Sequence, residues 1–375
     1  MKKVLVGMSG GVDSSMAAYL LKEAGYSVEG LSLILYEARA RTDPTACCSL
    51  EAIEDAARTA AHMGIPHRVL DGRGEFIERV IEPFVESYTR GLTPNPCILC
   101  NLHIKFPLLL REAERVGADF IATGHYAKTE HSEDGSYLKK GADPGKDQSY
   151  VLYVLRQEEL GRLILPLGCH TKAEIRARAL ALGLPAGKRP ESQEICFVED
   201  RNYFKFIDKL SPVAGAPGPL LDLEGRTIGT HKGIHNYTIG QRKRLGLQSY
   251  APLFVINIDI LKNSVTVGPR EAAMARELLV RDVNWLLPRE EAFRTSVKIR
   301  SMMRDRPATV FPLYEARARV LYDKPQWAPA PGQSAVFYEG DTVVGGGVIE
   351  GVLDLSQMAA NPPGNTSSNL RRGGP

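Results

Sequence analysis

A short apolar run, Val4-Leu5-Val6, feeds directly into Gly7-Met8-Ser9-Gly10-Gly11-Val12-Asp13-Ser14-Ser15, after which a helical pattern begins. Strand, glycine loop and helix in that order make a cradle for phosphate. The first N–H groups of the helix lack intrahelical partners, and its dipole favours an anion there. Gly10 and Gly11 let the backbone approach an anion closely and permit positive φ. Ser9, Ser14 and Ser15 add hydroxyl donors. Asp13 is out of place beside an anion unless Mg²⁺, which prefers carboxylate and phosphate oxygens, lies between them. No Gly-x-x-x-x-Gly-Lys-Ser/Thr run occurs, which excludes the common triphosphate loop with its lysine.

As far as about residue 202 the chain keeps an α/β cadence. Strands are expected at 4–6, 28–35, 67–70 and 120–123, between helices at 14–24, 50–63 and 76–88 and a further helix running to Gly117. Leu50, Ile53, Ala57 and Ala60 share one helix face; Phe76, Val80 and Phe84 share another. Gly25, Gly64, Gly91 and Gly117 stand where these helices end. Such alternation implies a parallel sheet with ligands at the carboxyl ends of its strands. The glycine loop and Gly124-His125 both occupy such ends. Beyond residue 202, turn-rich stretches such as Gly215-Ala216-Pro217-Gly218-Pro219 replace the helices. From about 296 apolar and polar residues alternate, and 334–338 and 343–349 read as a closing hairpin across Glu339-Gly340-Asp341, which suggests a small β-barrel.

The 375 residues suffice for two or three domains, and 43% hydrophobic with 24% charged residues is ordinary for a soluble globular chain. No stretch reaches the roughly 20 apolar residues of a membrane span. Met1-Lys2-Lys3 leads into a strand rather than a signal peptide, so a cytoplasmic protein is expected. A net charge of +3 permits nucleic-acid binding without requiring it. Six cysteines in such a chain suggest metal or redox chemistry rather than a disulfide scaffold. Cys97 and Cys100 follow Thr93-Pro94-Asn95-Pro96, whose prolines predict an extended loop that holds both thiols off any helix interior. Cys196 lies in Glu191-Ser192-Gln193-Glu194-Ile195-Cys196-Phe197. Cys169, Cys47 and Cys48 read as buried structural residues, and the adjacent Cys47-Cys48 suits zinc poorly. Polar, loop-forming neighbours mark Cys100 and Cys196 as nucleophiles or cluster ligands.

Ser9-Gly10-Gly11-Val12-Asp13-Ser14 resembles the signature of the PP-loop ATP pyrophosphatases, which split ATP between the α and β phosphates to adenylate a substrate. Further segments narrow the resemblance. Cys100-Asn101 after Thr93-Pro94-Asn95-Pro96, Ala122-Thr123-Gly124-His125-Tyr126-Ala127, Gly145-Lys146-Asp147-Gln148-Ser149-Tyr150, Ser192-Gln193-Glu194-Ile195-Cys196-Phe197, His235-Asn236-Tyr237-Thr238-Ile239-Gly240-Gln241-Arg242 and Pro331-Gly332-Gln333-Ser334 occur in order. Together they are similar to the tRNA-specific 2-thiouridylases. The resemblance implies a Rossmann-like parallel-sheet PP-loop domain over 1–202, of the adenine nucleotide alpha hydrolase-like class. A small, mostly-β central domain over 203–273, a C-terminal β-barrel over 274–355 and a disordered tail over 356–375 would follow.

It implies, too, a reaction: thiolation at C2 of the wobble uridine of tRNAs for Lys, Glu and Gln, using ATP and Mg²⁺. Sulfur would arrive from a relay protein or desulfurase as a persulfide on Cys196, and Cys100 would resolve it. Asp13 would complete the catalytic set. ATP would contact Gly7, Met8, Ser9, Gly10, Gly11, Val12, Asp13, Ser14, Leu33 and Gly124. Asn95, Pro96 and Cys97 would meet the target base, while His125, Lys146, Asp147, Gln148, Arg300, Ser301 and Gln333 would meet the anticodon arm of the tRNA, bound by a monomer with no membrane involved. Well-known members carry Asp where this chain has Cys97, and Arg-Tyr where it has Arg300-Ser301. The first departure creates Cys97-x-x-Cys100 with Cys196, a set suited to a [4Fe–4S] cluster that would deliver sulfide instead. A PP-loop ligase acting on a small metabolite, and a non-catalytic tRNA-binding or iron–sulfur carrier, are the competing readings.

Overall fold

The computed structural model describes residues 1–36, 50–188, 195–198, 202–211 and 215–353. Cys47 and Cys48, the side chain of Leu50, Ser192-Gln193-Glu194 and the expected tail lie outside the described residues.

Strands β1 (Lys3–Gly7), β2 (Ser27–Ile34), β3 (His67–Asp71) and β4 (Phe120–Ala122) come first; β5 (Ala127–Ser132) and β6 (Gly135–Lys140) form a hairpin, and β7 (Leu163–Ile164) follows. The first sheet is parallel throughout, in the order β3-β2-β1-β4-β7. Val4, Leu5 and Val6 are all fully buried, as a parallel strand covered on both faces requires. Leu5 packs with Phe106, Leu109 and Ile121 on one face; Val4 and Val6 pack with Met16, Ala17 and Ala56 on the other. Strand order reverses at β1, with β2 on one side and β4 on the other. Ligands bind in the crevice at such a switch point.

One expectation is corrected. The segment of Cys97 and Cys100 is not an extended loop but the start of a helix, Pro96–Cys100, continued by a π-turn at Asn101–Lys105 and by Phe106–Val116. Proline is well placed at the first helical position, where its missing N–H would be unpaired anyway. The Asn95 side chain caps the helix by accepting from the Cys97 N–H at 3.1 Å. The helix expected over 76–88 likewise begins earlier, at Arg73, and runs through a π-turn at Ile77–Ile81 to Thr89.

The central region opens with helix Tyr203–Leu210, followed by strands β8 (Gly218–Leu221), β9 (Thr227–His231), β10 (Phe254–Asp259) and β11 (Ser264–Gly268) in the order β10-β11-β8-β9. Their core is Leu220, Val255, Val265 and Val267. Next come β12 (Met274–Trp285), β13 (Phe293–Lys298), β14 (Arg306–Leu313), β15 (Arg317–Trp327), β16 (Ser334–Glu339) and β17 (Thr342–Val352). These six close into a barrel, because β12 pairs with both β15 and β17. The first barrel strand begins at Met274, ahead of the alternation visible from about 296; irregular register at Ala275/Glu277 in β12 interrupts the period of two there. The β5–β6 hairpin of the first domain, unforeseen from the sequence, extends the barrel sheet through the pair Thr342↔Lys139.

Loop Pro331-Gly332-Gln333 of the barrel clasps Thr93, two residues before the Asn95 cap. The Thr93 N–H donates to the Pro331 carbonyl at 2.9 Å, and Gln333 Nε2 donates to the Thr93 carbonyl at 2.9 Å. Gly332 has φ +91°, and a Cβ there would lie 2.8 Å from the Thr93 nitrogen. Gly332→Val therefore adds backbone strain of about 1–3 kcal/mol and separates the barrel from this loop; a lowered melting temperature checks it. A second prediction concerns acid. His67, hydrogen-bonded to Ser32 Oγ at 2.9 Å, and His231, bonded to the Asn263 carbonyl at 2.8 Å, are both held below the ordinary value of 6.5, chiefly by burial. Below 6.5 the unfolded chain binds more protons than the folded one, so stability falls as pH falls. Melting temperatures between pH 7.5 and 5 should drop, and less so in His67→Gln.

Candidate functional site

A cavity of about 340 Å³ opens at the carboxyl ends of β1, β2 and β4. Gly7, Met8, Ser9, Ser14, Leu33 and Gly124 line one end of it. The loop is shaped by steric necessity. Gly10 has φ +73°, and a Cβ on it would lie 2.0 Å from the Ala52 carbonyl oxygen. Gly11 precedes helix Val12–Glu23 with no side-chain cap, and Val12 is buried in the core. Ser14 Oγ accepts from the Ser9 N–H at 3.1 Å, which fixes the loop's curvature. Ser15 is buried outside the cavity lining, and its hydroxyl donates to the Gly11 carbonyl at 2.9 Å. A Cβ on Gly124 would sit 2.6 Å from the Asp13 carbonyl carbon, so only glycine lets the end of β4 meet the helix start.

Asp13 faces the cavity and is held by two groups that sequence reasoning did not single out. Lys172 Nζ donates to both carboxylate oxygens, at 2.6 and 2.7 Å, and the Tyr126 hydroxyl donates to one of them at 2.7 Å. Lys172 opens a helix whose Thr171 cap and Glu174 form a capping box. A capping box after β7, at the ligand-binding end of the sheet, is the signal that could have found it.

The other end of the cavity is lined by Pro96, Cys97, Cys100, Cys196 and Phe197. Cys100 is buried, Cys196 half-buried and Cys97 exposed. Phe197 lies edge-on to Phe76 and Phe84 at ring separations of 5.7 and 5.3 Å. This aromatic cluster contains Cys100, and Cys196 packs against it. Residues 100 and 196 therefore share one wall. Cys169, expected to be buried, is exposed on the turn leading to Thr171.

Between the two ends lie Thr123, His125, Gln148 and Lys105. Lys105 also escaped sequence reasoning; it faces the cavity as the last residue of the π-turn that follows Cys100. Its Nζ donates to Asn101 Oδ1 at 2.9 Å and lies 3.4 Å from His125 Nε2. Burial, and then the Lys105 charge, hold His125 well below 6.5, so its imidazole is neutral.

The residues expected to meet tRNA are scattered. Gln148 accepts from the Tyr126 N–H at 2.9 Å at the cavity wall. Asp147 accepts from the Gly141 and Ser149 N–H groups, both at 3.1 Å, and lies 3.6 Å from the buried Lys298 ammonium of the barrel. Lys146 is partly exposed on the same loop. Arg300 Nη2 donates to the Ile239 carbonyl at 3.0 Å and the Ala328 carbonyl at 2.8 Å, bolting the central domain to the barrel; Ser301 follows it, partly exposed. Among the described residues no three His, Cys, Asp or Glu side chains lie close enough to share a single metal ion.

The tRNA methyl transferase HUP-domain family matches residues 2–200, the tRNA methyl transferase PRC-barrel family 205–269, and the aminomethyltransferase β-barrel family 275–349. The chain is 45% identical to a tRNA-specific 2-thiouridylase of Halothermothrix orenii, over 93% of this chain and 99% of that one. Its identity to the protein of that name in Moorella thermoacetica is 48%, over 94% of this chain and all of that one. For Geotalea uraniireducens the figures are 46%, 96% and 98%. With a phosphate-type loop and paired thiols on one cavity, and near-complete matches along its length, the chain belongs to the tRNA-specific 2-thiouridylase family.

Proposed function

We propose that this chain thiolates C2 of the wobble uridine in tRNAs for Lys, Glu and Gln at the expense of ATP, which yields AMP and pyrophosphate. The supporting observation is the single cavity that carries the glycine loop at one end and Cys100 with Cys196 at the other. A uridine C2 carbonyl is amide-like and its oxygen is no leaving group. Attack of that oxygen on the α-phosphate expels pyrophosphate and leaves C2 bearing AMP. The terminal sulfur of a Cys196 persulfide, loaded by a relay protein or desulfurase, attacks C2 and displaces AMP. The Cys100 thiolate then attacks the Cys196 sulfur, the old S–S bond breaks, and its electron pair leaves with the sulfur on C2. A Cys100–Cys196 disulfide remains for reduction. Paired thiols facing the cavity suit sulfur transfer.

ATP binding falls to Gly7, Met8, Ser9, Ser14 and Gly124, with Leu33 against the base and Gly10, Gly11 and Val12 shaping the turn. Asp13 is the one carboxylate lining the cavity among the described residues, which fits a Mg²⁺ that takes its other ligands from phosphate and water. When bound, Mg²⁺ neutralises the departing pyrophosphate. Lys172 keeps Asp13 oriented towards the loop. Asn95 and Pro96 start the helix that aims Cys97 and Cys100 at the incoming base. The anticodon arm reaches the cavity past His125, Gln148 and Lys146, while Asp147, Arg300 and Gln333 fix the walls around it.

Cys100→Ser and Cys196→Ser should each reduce thiolation at least 1,000-fold and leave tRNA-dependent pyrophosphate release within about threefold of wild type, the asymmetry expected when one of two separate half-reactions loses its nucleophile. Asp13→Ala should abolish pyrophosphate release with tRNA binding retained. Pyrophosphate turnover without tRNA would point to a metabolite ligase instead, and near-normal thiolation in either cysteine variant refutes the assigned roles.

A further inference from the structure

Two lysines serve the cavity in opposite states: Lys105 lines it, and Lys172 pairs with its Asp13. Lys172 is neutralised by Asp13, whereas both hydrogen-bond partners of Lys105 are uncharged: Asn101 Oδ1 at 2.9 Å and His125 Nε2 at 3.4 Å. Each partner is fixed in turn. Asn101 is 1% exposed, and its Nδ2 donates to the Val151 carbonyl at 2.9 Å, which turns Oδ1 towards the lysine. An ammonium only donates, so His125 Nε2 is an acceptor and the ring proton resides on Nδ1, where it donates to Thr123 Oγ1 at 2.7 Å. Lys105 is thus aimed by two locked neutral groups, and the third N–H of its ammonium is left for a ligand. It stands between the Cys100 helix and the Gly124-His125 corner, where the nucleotide end of the cavity meets the thiol end. A half-buried cation in a largely apolar cavity, with no counter-charge of its own among the described residues, is matched to an anion that arrives from outside.

We propose that Lys105 binds the α-phosphate, first of ATP and then of the adenylated uridine; this rests on the adenylation reading above. As uridine O2 attacks the α-phosphorus and the bond to the β-phosphate oxygen breaks, its electron pair leaves with pyrophosphate. Charge on the α-phosphate oxygens is met by Lys105, which keeps its proton throughout. In the sulfur step the C2–O bond breaks, and the same ammonium stabilises the AMP that takes the electron pair. The neutral state of His125 serves this arrangement, since a second cation there would repel Lys105 from its position.

The test compares wild type, Lys105→Met and Lys105→Arg as full-length chains by calorimetric binding of AMP and of adenosine, with tRNA-dependent pyrophosphate release measured alongside. Lys105→Met should weaken AMP binding about tenfold or more, leave adenosine affinity unchanged, and slow pyrophosphate release by about 100-fold, the scale of losing one preorganised charge donor. Lys105→Arg should recover part of both. Unchanged AMP affinity and pyrophosphate release in Lys105→Met, accompanied by iodoacetamide alkylation of Cys100 that moves to higher pH, would overturn the proposal and make Lys105 a thiol-tuning residue. Wild type separates the two levels of inference. If it releases no pyrophosphate with tRNA, the adenylation reading falls; if it does, equal AMP affinity in Lys105→Met defeats the Lys105 assignment alone.

Discussion

The contact on which the site depends is the meeting of β4 with the first helix at Gly124. A side chain there would strike the Asp13–Ser14 peptide at 2.6–2.7 Å. Because it is absent, the residues just after β4 are delivered to fixed positions around the loop. Tyr126 returns its hydroxyl to Asp13, and His125 faces Lys105 on the way to the thiols. Gln148 secures the turn by accepting from the Tyr126 N–H. One small residue thereby sets the spacing between the phosphate-type loop and everything opposite it.

The charges of the cavity are arranged along its length. At the loop end, Asp13 and Lys172 cancel; near the middle, Lys105 stands beside an imidazole that burial keeps neutral. Leu33, Phe76 and Phe197 line the walls. With an apolar lining and so few competing charges, a single ammonium acts at closer to full strength than at the surface. The same lining carries Cys100 and Cys196 on one wall of the cavity.

What could be read from the sequence was mostly local. The glycine loop was legible because backbone geometry and helix N-terminal chemistry are properties of consecutive residues, and β1 because an unbroken apolar run marks a strand covered on both faces. Pro96 was misread: proline breaks a helix interior but suits its first position, and only the Asn95 cap decides between the two. Asp147, Arg300 and Gln333 were read as groups for tRNA. Each also makes a contact distant in sequence, to Lys298, to the Ile239 and Ala328 carbonyls and to the Thr93 carbonyl respectively, and no local pattern announces a seam between domains. Lys105 was missed because an α-helical period does not place it on the face of Cys100; the π-turn does.

Both C-terminal domains attach at the thiol side of the cavity, and the barrel also holds Asp147 beside Gln148. Thr93, at the approach to the Cys97–Cys100 helix, is held by the barrel through Pro331 and Gln333 and touches Thr238 of the central domain at 3.4 Å. The segment after Cys196 leads into helix Tyr203–Leu210, whose Asp208 lies 2.8 Å from His235 of the central domain. The glycine loop, by contrast, is braced within the α/β domain alone, by Ala52, Leu31 and Ser32. The loop's geometry is therefore set by the parallel sheet, whatever the other domains do. The thiols' geometry is set by how three domains sit together. A force applied to the barrel or the central domain, such as a bound macromolecule exerts, reaches the Cys97–Cys100 helix through Thr93 and the phosphate-type loop by the longer route of Lys298, the Asp147-Gln148 turn and Tyr126.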